Sequence, residues 1–123
     1  MIVIQKEYSV SQEAVQTLVK LGLTVLQAKV YLALVRLGIS NGRITAKQAQ
    51  IASQDVYRVL GDLQEKGLVE KIISKPTMFK ATTINDGLAF LLKNKKAEFT
   101  QLEKQIENIS NTFNGNNEDA LEA

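Results

Sequence analysis

The stretch Ser53-Gln54-Asp55-Val56-Tyr57-Arg58-Val59-Leu60-Gly61-Asp62-Leu63-Gln64-Glu65-Lys66-Gly67-Leu68-Val69-Glu70-Lys71-Ile72-Ile73-Ser74 decides the fold, because its periodicity changes partway along. In its first part Val56, Val59, Leu60 and Leu63 recur at helical spacing, while Gln54, Arg58, Asp62 and Glu65 fall on the opposite side. That pattern predicts a helix over about 53–66 with one buried face, ended by Gly67. Leu68 to Ser74 is short and rich in Val and Ile, Lys75-Pro76-Thr77 has turn chemistry, and Met78 to Thr82 can return as a partner strand. An amphipathic helix therefore runs into a β-hairpin.

Toward the N-terminus, Gln50-Ile51-Ala52 reads as a tight turn after a short helix that ends near Ala49. Ser40-Asn41 and Thr45 are both acceptable caps for that helix, and the earlier start is favoured. Before it, Thr24-Val25-Leu26-Gln27 has the form of a capping box, in which the Thr hydroxyl and the Gln side chain satisfy each other's backbone amides. The helix it opens, Val25 to Leu37, carries a stripe of Leu26, Val30, Ala33, Leu34 and Leu37. Ala28, Leu32 and Val35 widen that stripe until the helix must sit in a core. Gly38 is placed to end it. A further helix is expected from about Val10 to Leu21, capped by Ser9 or Ser11 and stopped by Gly22. Two helices, a tight turn, a second amphipathic helix and a hairpin, in that order, describe a winged helix-turn-helix.

Past the hairpin, from about Asp86, the positions Leu88, Leu92, Lys95, Phe99, Leu102, Ile106, Ile109 and Phe113 are separated by alternating steps of four and three, the a and d spacing of a coiled coil. A stripe about 40 Å long, at ~1.5 Å per residue, exceeds what one small domain can cover, so a homodimer seam is expected. Lys95 within it must turn its ammonium outward or meet a carboxylate. Asn114-Gly115-Asn116-Asn117-Glu118-Asp119 has no apolar content and reads as the start of a disordered acidic tail. The expected organisation is an N-terminal helical extension over 1–22, a winged helix-turn-helix over 23–84, a dimerisation helix over 85–113 and a tail over 114–123. The fold class is mainly α with a small β-hairpin wing.

Composition narrows the chemistry. The 123 residues include no Cys and no His, which removes the usual ligands of zinc, haem and iron–sulfur centres and the commonest general base near neutral pH. No Gly-rich phosphate loop is present either, so the expectation is a protein that is not an enzyme and carries no cofactor and no metal. The apolar runs, such as Val30 to Val35, are too short to cross a bilayer, and Met1-Ile2-Val3-Ile4 lacks the form of a secretory signal; a cytoplasmic location with no membrane partner is expected. The net charge of +2 is unevenly spread: residues 111–123 hold Glu118, Asp119 and Glu122 with no Lys or Arg, leaving +5 on the preceding residues. A mildly basic body suits a polyanion.

Leu21-Gly22-Leu23-Thr24, Ala28-Lys29-Val30-Tyr31-Leu32-Ala33-Leu34, Val56-Tyr57-Arg58-Val59-Leu60, Leu63-Gln64-Glu65-Lys66-Gly67-Leu68-Val69-Glu70 and the wing around Pro76 and Phe79-Lys80-Ala81 together resemble the archaeal TrmB-like transcriptional regulators, over roughly residues 20–92. The resemblance implies a winged-helix dimer that binds palindromic promoter DNA, with the long last helix contributing to dimerisation. Two departures matter. Larger TrmB regulators carry a C-terminal sugar-binding domain for which this chain leaves no room, so sugar sensing is not carried over and no small-molecule ligand is expected. Where relatives often have Gly, an apolar residue and Pro in the helix-turn-helix turn, this chain has Gln50-Ile51-Ala52.

A helix fits the major groove and reads bases from its N-terminal end, which points to Ser53, Gln54, Tyr57 and Arg58. Gln can bond adenine twice and Arg guanine twice, which makes Gln54 and Arg58 the expected base readers, against the plain alternative of a polar helix face. Arg43 and Lys47 beside the second helix, and Lys71, Lys75, Thr77 and Lys80 in the wing, suit the phosphate backbone or minor groove. The competing functions are a winged-helix module for protein–protein assembly and an architectural or DNA-partition protein with little sequence preference.

Overall fold

The computed structural model describes the backbone of residues 2–122 and the side chains of residues 11–115. Among the described residues, five helices and three strands follow one another as α1 (Ile2–Lys20), α2 (Val25–Leu37), β1 (Ile39–Asn41), α3 (Gly42–Ala49), α4 (Ser53–Glu65), β2 (Val69–Ile72), β3 (Met78–Ala81) and α5 (Ile84–Glu122). The chain divides into two compact units, one up to Leu91 and one from Leu92 onward; α5 contributes its first turns to the former and the rest to the latter.

The first unit is the winged helix-turn-helix. Its core is supplied by α2 (Ala28, Val30, Tyr31, Leu34), α4 (Val56, Val59, Leu60, Leu63) and the residues that follow α4 (Leu68, Val69), with Phe79 entering from the sheet and Leu91 from α5. Val15, Leu18 and Leu21 pack on the same core, so α1 is part of this unit rather than an appendage to it. It begins at Ile2 instead of near Val10: neither Gly nor Pro interrupts residues 2–20, and a formed helix extends at less cost than a new one nucleates. Ser11 is accordingly not a cap, and its hydroxyl accepts from the Arg36 guanidinium.

The expected start and stop signals operate around α2. Thr24 Oγ1 accepts from Gln27 N at 3.1 Å, and Gln27 Oε1 accepts from Thr24 N at 3.0 Å. At the other end Gly38 takes φ +79°, a conformation that costs residues with a Cβ far more, and its N–H donates to Leu34 O. The earlier start for α3 is also found, since Asn41 Oδ1 accepts from Ile44 N at 2.8 Å. The turn between α3 and α4 places Gln50 in the left-handed region at φ +59°. Its N–H faces Ala46 O and Lys47 O, so the cap geometry is kept with a residue that tolerates it less well.

The wing is larger than the hairpin expected. β1 adds to it, and the sheet has the antiparallel order β1-β3-β2, with Ser40 and Lys71 both opposite Phe79, and Ile39 and Glu70 both opposite Lys80. The Ile39–Asn41 segment reads locally as a helix stop and a helix cap. Only pairing with a strand some forty residues later makes it a strand.

In the second unit α5 runs on to Glu122, beyond Phe113, where the composition predicts a disordered tail over 114–123. Asn and Gly are poor helix nucleators, but here they only continue a helix already formed, and Ala120, Leu121 and Glu122 favour its continuation. Leu92, Phe99, Leu102, Ile106, Ile109 and Phe113 are all exposed on this helix in the single chain. Lys95 turns to Glu98, with 4.0 Å between ammonium and carboxylate. Leu88, the first residue of the expected seam, instead packs against the core of the first unit, next to the buried Leu91 that the heptad reading leaves out. No helix among the described residues is long and apolar enough to cross a membrane.

Candidate nucleic-acid interface

The candidate surface is built on α4. Burial of Val56, Val59, Leu60 and Leu63 fixes the rotation of the helix, so Ser53, Gln54, Tyr57 and Arg58 lie on its exposed side. Ala52 occupies the N-cap and supplies no side-chain bond, the Asp55 N–H donates to Ala52 O at 3.0 Å, and Asp55 is the acidic complement of the first turn. Asp55 also lies 3.8 Å from the Arg58 guanidinium in an exposed pair. Such a pair contributes at most about 1 kcal/mol, so Arg58 can leave it for a stronger bidentate partner.

Tyr57 is 59% exposed, yet its phenol ring does not stand free. A β-carbon placed on Gly42, the first residue of α3, would lie 2.7 Å from Tyr57 Cε1 and 2.8 Å from Cζ. The ring therefore lies directly on the backbone of the first turn of α3. In the next turn Thr45 Oγ1 donates to Asn41 O at 2.7 Å, which secures this end of α3 from within. Arg43 and Lys47 are exposed, one helical turn apart on α3, and can reach phosphates on one side of a duplex together.

The wing lysines are not brought together. Lys71 lies opposite Phe79 across the β2–β3 ladder, whereas Lys80 is the neighbour of Phe79 along β3. Since successive residues of a strand point to opposite faces, Lys71 and Lys80 leave the sheet on opposite sides. Lys80 additionally faces Glu70 in the register. Lys75 is exposed in the turn; Thr77 is half-buried. In this turn the Lys75–Pro76 peptide is cis and Ser74 Oγ donates to Pro76 O.

Three features escape the sequence reading. Gly42 looks like an ordinary loop glycine, and nothing local marks its contact with Tyr57. Ile73, in a strand-like run, is 93% exposed between Lys71 and Lys75, where an apolar side chain can press against sugars of a narrow groove. Tyr31 is fully buried in α2 and its hydroxyl is bound at the start of α5. Burial raises its pKa above the ordinary tyrosine value, the nearby Asp86 charge adds to the rise, and a hydrogen bond with Thr82 opposes it.

Comparison with known proteins agrees with the winged helix-turn-helix fold. Residues 18–85 match the family described as sugar-specific transcriptional regulator TrmB. A curated relative, the HTH-type sugar sensing transcriptional regulator TrmBL1 of Pyrococcus furiosus, is 26% identical over 104 residues, which cover 85% of this chain and 30% of the relative. Among solved structures, TrmBL2, described as an archaeal chromatin protein with a novel mode of DNA binding, superposes with a TM-score of 0.77 at 17% identity. That match covers 84% of this chain and 41% of TrmBL2. A MarR family transcriptional regulator from Silicibacter pomeroyi gives a TM-score of 0.53 at 19% identity over 87% of this chain and 79% of its own. The chain thus spans well under half the length of TrmBL1 and TrmBL2.

Proposed function

Because the chain belongs to the TrmB family of transcriptional regulators, we propose that it binds double-stranded DNA sequence-specifically as a homodimer, in the cytoplasm. α4 enters the major groove and residues 68–82 lie on the backbone or in the minor groove. The observation that carries this reading is the division of α4: its apolar side is fully buried while Ser53, Gln54, Tyr57 and Arg58 stay exposed at its N-terminal end. Gln54 and Arg58 are the base readers, and Tyr57 holds a phosphate through its hydroxyl. Arg43, Lys47, Lys75 and one of the two β-strand lysines position the domain on the backbone. The dimer is supported by the exposed apolar side chains on α5 from Leu92 to Phe113, which in a helix of this spacing suit a second copy. The proposal covers DNA recognition alone, since the match takes in 30% of the sugar-sensing relative.

Selection of bound sequences from a random duplex pool at near-physiological salt tests it. A palindrome with half-sites about one turn apart, roughly 34 Å, is expected. A second reading, a protein that coats DNA with little sequence preference, draws on the fold shared with the chromatin protein TrmBL2. It predicts binding without an enriched motif, weakening as salt rises.

A further inference from the structure

We propose that Gly42 is a positioning residue for DNA binding, which acts by letting the Tyr57 ring lie against the first turn of α3; the inference rests on the DNA-binding reading above. Gly42 is buried, yet no left-handed conformation requires a glycine there, and its place at the start of α3 would suit many residues. What excludes them is the ring. An added β-carbon would meet Tyr57 Cε1 at 2.7 Å, Cζ at 2.8 Å and the hydroxyl oxygen at 3.0 Å, and real β-carbons are essentially never found under 3.0 Å from such atoms. Because Tyr57 is otherwise 59% exposed, its ring rather than the backbone yields when the space is filled.

The consequence is geometric. Lying on Gly42, the phenol hydroxyl is held where the first turn of α3 meets the exposed side of α4. There it can donate to a backbone phosphate while Gln54 and Arg58, on the same side of α4, reach base edges. Displaced from Gly42, the ring no longer holds its hydroxyl at that place.

Gly42→Ala, Tyr57→Ala and the double variant test this by anisotropy titration of a labelled duplex carrying the most enriched selected sequence, with thermal melting alongside. Gly42→Ala should melt at or above the wild-type temperature, since alanine favours helix, and should bind about 5–10-fold more weakly. In the Tyr57→Ala background the same change should alter affinity less than twofold. Wild-type affinity in Gly42→Ala overturns the proposal, as does an equal loss with and without the Tyr57 ring, or a clearly lowered melting temperature, which would make the displaced group backbone. Chemical shifts of the free protein give a readout without DNA: the Gly42 amide should move on Tyr57→Ala, and an unmoved signal contradicts the contact. Failure of the wild type itself to bind any selected duplex would bring down the DNA-binding reading, and this inference with it, and is recognised by appearing before any variant is made.

Discussion

The hydroxyl of Tyr31 lies 3.0 Å from the carbonyl oxygen of Thr82, tying the middle of α2 to the two residues that link β3 to α5. It also lies 3.1 Å from Thr83 O and 3.1 Å from Thr82 Oγ1, so one buried phenol serves the point at which the wing ends and the last helix begins. Tyr31→Phe leaves the Thr82 carbonyl without this donor and should cost about 1–3 kcal/mol in urea denaturation at neutral pH. The Tyr31 pKa is raised by folding, chiefly by burial, from 10.0. Below pH 10.0 its contribution to stability is therefore present in full. As the pH rises further the unfolded chain loses the proton first and stability is lost until the raised folded value is passed. The stability gap between wild type and Tyr31→Phe should be constant below pH 10.0 and narrow above it; a gap that stays constant above pH 10.0 would contradict the assignment.

Gly87 makes the same site intolerant of side chains. A β-carbon there would lie 2.1 Å from the Tyr31 hydroxyl oxygen and 2.9 Å from Cζ, and Tyr31 is fully buried with nowhere to swing. Gly87→Ala should destabilise the domain by about 2–3 kcal/mol despite its better helix propensity. The combination with Tyr31→Phe should recover part of that loss, because the hydroxyl is the nearest obstacle.

Opposite placement of Lys71 and Lys80 on the sheet separates their roles. Lys75→Ala should weaken binding evenly across sequences and reduce the slope of log affinity against log salt by about 1. Lys71→Ala should behave similarly, whereas Lys80→Ala, which faces Glu70, should be close to neutral. Equal losses for Lys71 and Lys80 would show that both faces of the wing meet DNA.

Charged replacement of the exposed stripe tests the proposed dimer. Leu102→Glu with Ile106→Glu, both on the second unit, should leave helix content intact and yield a monomer by sedimentation, with at least 10-fold weaker binding to a palindromic duplex. An unchanged dimer mass would move the interface elsewhere.

What could be read from the sequence was local. The Thr24–Gln27 box, the Asn41 cap, the inward set Val56-Val59-Leu60-Leu63 and the hairpin all depend on residues a few positions apart, and all are found. What could not be read depends on partners far along the chain: β1 is a strand only through Phe79 and its neighbours, Tyr31 is an anchor only through Thr82, and Gly42 is constrained only by Tyr57. The wing lysines illustrate the limit well, because composition shows how many there are and only the register shows that Lys71 and Lys80 diverge. Heptad spacing likewise assigns Leu88 to a seam, although its side chain is used by the core.

The most direct test of a dimeric base reader is to repeat the duplex selection with Arg58→Ala. The account predicts that the wild type enriches a palindrome and that the variant loses discrimination at one base pair, the same one in both half-sites, at a cost of about 1–3 kcal/mol each. An unchanged motif, or enrichment of no motif by the wild type, would contradict it.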